Sequence, residues 1–158
     1  MSKITPCLWF DGDAEEAANF YVTLLPDSRV DKVLRAPADY PSGSAGSVLT
    51  VEFTVAGQQF MGLNGGPQFP FTEAVSFVVN CEDQREVDRL WDALTEGGSP
   101  VQCGWLKDRF GLSWQIAPTI LLKMLADADR TKAKRVMEAM MRMIKIDIAD
   151  LQKAYDGR

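Results

Sequence analysis

The same short pattern is written twice in this chain, seventy residues apart. Asp13 returns as Asp83, and Ala17, Phe20, Tyr21 and Leu24 return as Val87, Leu90, Trp91 and Leu94. Each Asp follows an apolar run, Cys7-Leu8-Trp9-Phe10 in one case and Phe77-Val78-Val79 in the other. Each precedes a Glu by three residues, at Glu16 and Glu86. Asp and Glu at that spacing mark a helix start, because both carboxylates can accept from backbone N–H groups that have no partner inside the helix. The apolar positions that follow recur at helical spacing. The pattern predicts strand, cap and helix, twice over, with a site where the two halves meet.

The rest of each copy reads as further strands. After a helix over about 14–25, Ser28–Arg35 predicts a second strand, and a loop over 36–46 carries Pro37, Pro41, Gly43 and Gly46. Ser47–Val55 alternates, with Leu49, Val51, Phe53 and Val55 on one face and Thr50, Glu52 and Thr54 on the other. Ala56-Gly57 turns the chain into a strand over Gln58–Leu63. In the second copy a strand over 74–80 and a helix over 84–96 precede short strands near 101–105 and 112–117. Aligning Gly57 with Gly111 gives an offset of 54, so the second copy is about sixteen residues shorter (70 less 54). Asp108 reads as a turn residue between its last two strands. The division expected is a first unit over 3–64, a bridge over 65–72, a second unit over 73–117 and a helical tail over 118–158. In the tail Asp129 is placed to cap a helix over about 130–145, and Asp147 one over 148–155.

Composition narrows the function. A 158-residue chain with 46% hydrophobic and 25% charged residues is long enough to bury a core. A net charge of −5 without clustered Lys or Arg argues against nucleic acid as a partner. No run is long and apolar enough for a membrane span, and no secretory signal opens the sequence, so the expected location is the cytoplasm. The three cysteines, Cys7, Cys81 and Cys103, have no paired spacing, which predicts reduced thiols. The absence of histidine removes the commonest metal ligand and the commonest general base together.

Three segments carry a family resemblance: Leu8-Trp9-Phe10-Asp11-Gly12-Asp13-Ala14-Glu15-Glu16-Ala17, then Leu63-Asn64-Gly65-Gly66-Pro67, then Cys103 through Gln115. With tandem βαβββ units, they resemble the vicinal oxygen chelate superfamily, which includes glyoxalase I, extradiol dioxygenases and bleomycin-resistance proteins. The wording is similar to its PhnB-like branch, often labelled a 3-demethylubiquinone methyltransferase family. The resemblance covers nearly the whole chain, tail included, and implies an α+β fold of two βαβββ units plus the helical tail. A doubly wound S-adenosylmethionine enzyme would need strands alternating with helices and a Gly-rich first turn. The pair Gly65-Gly66 is followed by Pro67 and no cap, so no S-adenosylmethionine motif is read and no cofactor is expected.

The resemblance implies metal-ligand positions near Thr5, Met61, Val75 and Gln115. Only Gln115 offers a plausible oxygen ligand, and a shifted register would add Glu52 or Glu73, so no metal is expected. Strand alternation gives a pocket of Thr5, Cys7 and Trp9 with Thr50, Glu52 and Met61, joined by Phe77, Trp105 and Gln115. Glu52 is the candidate catalytic base. The function expected is metal-independent binding of a small apolar or aromatic molecule, by a homodimer. One alternative is a lyase, isomerase or dioxygenase using a divalent metal or the Glu52 carboxylate. The other is a protein-interaction module acting through the tail and its methionine-rich stripe, while Val136, Met140 and Ile144 of that stripe offer apolar surface to the homodimer.

Overall fold

The computed structural model describes residues 2–158, which divide into two compact units, one ending at Pro70 and one running from Phe71 to Arg158. In the first, β1 (Cys7–Phe10) leads to α1 (Ala14–Tyr21), followed by β2 (Arg29–Arg35), β3 (Val48–Val55) and β4 (Gln58–Asn64). The sheet order is β1-β4-β3-β2, with β1 parallel to β4 and the other pairs antiparallel. The second unit repeats the scheme as β5 (Ser76–Cys81), α2 (Gln84–Thr95), β6 (Ser99–Pro100), β7 (Trp105–Lys107) and β8 (Ser113–Pro118), in sheet order β5-β8-β7-β6. It continues as α3 (Thr119–Leu125), α4 (Arg130–Met140) and α5 (Ile148–Asp156). This is an α+β fold of two βαβββ units and a helical tail. The second unit is the shorter because β6 and β7 have two and three residues where β2 and β3 have seven and eight.

Both repeat helices bury one stripe against their sheet. Val87, Leu90, Trp91 and Leu94 of α2 are buried at the spacing of an amphipathic helix, and α1 buries Ala14, Ala17, Ala18 and Tyr21. Tyr21 lies 6.1 Å from the Phe53 ring, which stacks on Phe60 at 5.5 Å. The two caps differ. The Asp83 carboxylate accepts from the Glu86 amide at 2.8 Å, and the Glu86 carboxylate accepts from the Glu82 amide at 2.8 Å. Asp13 occupies the same place at α1 but makes no side-chain cap bond. Its ψ of 19° is outside the extended region that aims an N-cap side chain at the first turn. The buried Asn64 at the end of β4 does the work instead, accepting from the Ala14 amide at 3.0 Å and donating to the Val48 carbonyl at 3.0 Å.

The turn between β7 and β8 is organised by Asp108, which is 3% exposed. One carboxylate oxygen accepts from the amides of Phe110 and Leu112, and the other from the Trp114 indole N–H, at 2.9–3.0 Å.

The tail has its own core of Leu121, Met124, Val136, Ile146 and Leu151. Asp129 caps α4 and Asp147 caps α5, as their spacing predicts. The helix expected over 130–145 stops at Met140, however. Beyond it the carbonyls of Met143 and Ile144 turn to accept from the amides of Cys103 and Gly104 at 2.9 and 2.8 Å, and Ile146 is wholly buried. Those bonds and that burial replace the last helical turn. Gln84 of α2 adds a clamp, donating to the Ile146 carbonyl and accepting from the Ile148 amide. The apolar stripe divides accordingly. Val136 is wholly buried and offers no surface, whereas Met137, Met141 and Ile144 are exposed.

Candidate functional site

Alternation sorts the first sheet into two faces. Leu8, Phe10, Val51 and Phe53 are buried on the face that α1 covers. Thr5, Cys7 and Trp9 fall on the other, with Thr50, Glu52 and Met61, and register sets Met61 between Cys7 and Glu52. Of these, Thr5, Glu52 and Met61 line one hollow of about 80 Å³, together with Asp31, Phe53, Gln59 and Phe60. That volume holds a few water molecules or one polar group of a ligand.

The carboxylates in the hollow differ. Asp31 is held by the Arg29 guanidinium at 2.8 Å and accepts from the Thr54 hydroxyl at 2.6 Å. Glu52 is half-buried, and among the described residues neither a hydrogen bond nor an ion pair engages its carboxylate. Gln59, which the sequence reading does not name, belongs to the same face by its spacing from Met61, and alternation along β4 is the signal that points to it. Asp31 was not legible that way. The ladder slips between Val30 and Lys32, and the bulge gives β2 an extra residue there.

Trp9 is committed locally. Its indole N–H donates to the Gly66 carbonyl at 2.8 Å, its ring meets Phe69 edge-on at 4.9 Å, and a Cβ at Gly65 would collide with it. The Ser42 hydroxyl donates to the Gly65 carbonyl, which pins the 36–46 loop to the same bridge. Cys7 is exposed, and partial desolvation raises its thiol pKa.

In the second sheet, Gln115 donates to the Ser76 hydroxyl at 2.9 Å and pairs in register with the half-buried Trp105. Phe77 departs from expectation. It pairs with Trp114 and packs edge-on to it at 5.6 Å, on the face that carries the buried Leu106 and Ile116. The strand-to-helix connection is one residue shorter here, so Phe10 corresponds to Cys81, and the counterparts of Thr5, Cys7 and Trp9 are Ser76, Val78 and Asn80. A slip of one residue exchanges the faces of a strand. Burial pushes the Cys81 thiol up to about 12, which makes it a poor nucleophile candidate, and the Cys103 amide, at φ 59°, donates to the Met143 carbonyl.

The positions implied for a metal carry a hydroxyl (Thr5), a thioether (Met61), an isopropyl group (Val75) and a carboxamide (Gln115). Divalent ions prefer carboxylate or imidazole, and the Glu73 carboxylate is paired with Lys107, which holds its pKa below the usual range. Among the described residues no three His, Cys, Asp or Glu side chains group to hold an ion. The donor set does not fit a divalent metal. Nor does Gly65-Gly66 fit an S-adenosylmethionine loop, since it joins β4 to β5 and no helix follows before Gln84.

Two such units in tandem make a repeated βαβββ class of protein. The sequence model of the 3-demethylubiquinone-9 3-methyltransferase family matches residues 2–117, and the chain belongs to that family. The match stops before the tail, which corrects the expectation that the resemblance extends through it. Among solved structures, the PhnB protein of Bacillus cereus is 36% identical, with a TM-score of 0.67 over 74% of this chain and 99% of that one. Protein PA1353 of Pseudomonas aeruginosa is 25% identical, with a TM-score of 0.60 over 75% and 98%. A glyoxylase/bleomycin resistance protein/dioxygenase domain from Frankia is 15% identical, with a TM-score of 0.43 over 75% and 92%. No curated protein matches the chain.

Proposed function

We propose that this chain is a metal-independent small-molecule binding protein of the vicinal oxygen chelate fold. Its ligand is a small, largely apolar or aromatic molecule carrying one polar group that enters the Glu52 hollow. The observation that supports this is the half-buried Glu52 carboxylate, lining the hollow beside Thr5 and Met61 with no ion pair among the described residues. A half-buried acceptor left open in this way gains a partner when a ligand donor enters. The reading places the protein in the cytoplasm as a homodimer. The exposed Val33 and Leu34 on the edge strand β2 support assembly, and a 17.5 kDa monomer in sedimentation at micromolar concentration would remove that part.

A thermal-shift screen of small aromatic metabolites and antibiotics tests the binding. A true ligand at a hundredfold excess over its Kd adds about 2.7 kcal/mol of stability. Glu52→Gln should weaken it by roughly 1.5–3 kcal/mol, the usual loss of a hydrogen bond to a charged group. Equal shifts in wild type and Glu52→Gln would place the site elsewhere. One metal ion per chain after native purification would contradict the metal-free reading. Turnover of a bound compound, abolished in Glu52→Gln, would convert the proposal to an enzyme with Glu52 as base. A second reading, a protein-docking tail, is favoured by the exposed Leu122, Met137, Met141 and Ile144. It gains if no compound binds.

A further inference from the structure

We infer that the helical tail carries a separate binding site for a small organic anion, in an open dish between α4 and α5. The dish measures about 370 Å³, within the usual range for small-molecule sites. Its lining includes Arg142, Lys153 and Arg158, opposed by one carboxylate, Asp150, over a floor that includes Met143 and the alanines at 139 and 154. Three cationic residues lining one concavity stand out in a chain of net charge −5, and such a concavity concentrates anions.

The cations are available to a ligand. Among the described residues nothing engages the Arg142 guanidinium. Lys153 reaches Asp150 at 3.1 Å and Arg158 reaches Asp156 at 2.8 Å, with both cationic side chains more than 60% exposed. Exposed pairs of this kind are weak, so an incoming anion displaces them at little cost. The walls are firm by contrast. Arg135 of α4 donates to the carbonyls of Ala154 and Tyr155 at 2.8 and 2.7 Å, which fixes α5 against α4. Lys153 lies in the last turn of α5, where it also offsets the helix dipole. That role and the two exposed pairs account for Lys153 and Arg158, and Arg142 is the cation left without a partner among the described residues. A phosphate monoester with an apolar body suits both features, its oxygens on the guanidinium groups and its body on the floor.

The test titrates the full chain with phenyl phosphate by isothermal calorimetry. Benzyl alcohol serves as the uncharged analogue, and vesicles containing phosphatidic acid present the same headgroup on a surface. The expected result is saturable binding of phenyl phosphate with Kd below about 1 mM, weakening as ionic strength rises. Arg142→Glu and Lys153→Gln, both at exposed positions, should each reduce affinity tenfold or more and leave the circular dichroism spectrum unchanged. Glu52→Gln should bind as wild type does, which separates this site from the one proposed above. Lack of saturation, equal binding of benzyl alcohol, capture by vesicles alone, or unaltered affinity in Arg142→Glu would each overturn the inference.

Discussion

Asp108→Ala is expected to destabilise the protein by about 3–5 kcal/mol, a large share of the stability of an ordinary domain. The native carboxylate is 3% exposed and accepts from two amides and one indole N–H. Alanine leaves all three donors in a place water reaches poorly, and each buried unsatisfied donor costs about 1–3 kcal/mol, with incomplete additivity. For a chain of this length the melting temperature should fall by roughly 10 °C. Asp108→Asn should recover only part of the loss. Its oxygen can serve the amides of Phe110 and Leu112, but its NH2 then confronts the Trp114 indole, donor against donor. Trp114→Phe in the Asp108→Ala background should therefore cost less than Trp114→Phe in wild type. Strict additivity of those two changes would refute the shared-acceptor account.

Gly98→Ala should cost about 2–4 kcal/mol, through overpacking rather than lost bonding. A Cβ at this position would sit inside contact distance of the Lys107 carbonyl oxygen and against the backbone of Asp108. Backbone atoms on a hydrogen-bonded hairpin have no rotamer to move to, so β6 must part from β7. Chemical denaturation gives the measurement, and a loss below about 0.5 kcal/mol, the range of innocuous surface changes, would show that the approach is looser than this geometry requires.

Legibility in the sequence followed the range of the interaction responsible. The alternation of 47–55 showed which residues of β3 share a face, because that depends only on the pleat. The Asp83–Glu86 cap was readable for the same reason, all its partners lying within one turn. Asp13 and Glu16 present an identical pattern, yet α1 is capped by Asn64, fifty residues downstream, and nothing near Asp13 announces that. The bulge at Asp31 and the one-residue slip that turns Phe77 toward Trp114 are properties of pairing between strands, invisible in either strand alone. The helix stops at Met140 rather than near 145, and beyond it the Met143 and Ile144 carbonyls accept from Cys103 and Gly104, some forty residues upstream, a contact no local pattern announces.

Those bonds mean that the tail cannot be removed without opening polar groups of the repeat units. The family match ends at residue 117, which invites cutting the chain there to recover a minimal family member. Such a cut would expose the amides of Cys103 and Gly104, strip the Gln84 side chain of the Ile146 carbonyl and the Ile148 amide, and leave Asp88 without the Lys145 ammonium now 2.8 Å away. Unpaired amides beside one another on a hairpin are an invitation to a neighbouring chain. The first 117 residues spend several polar groups on the tail, and the shortened molecule would present those groups unpaired.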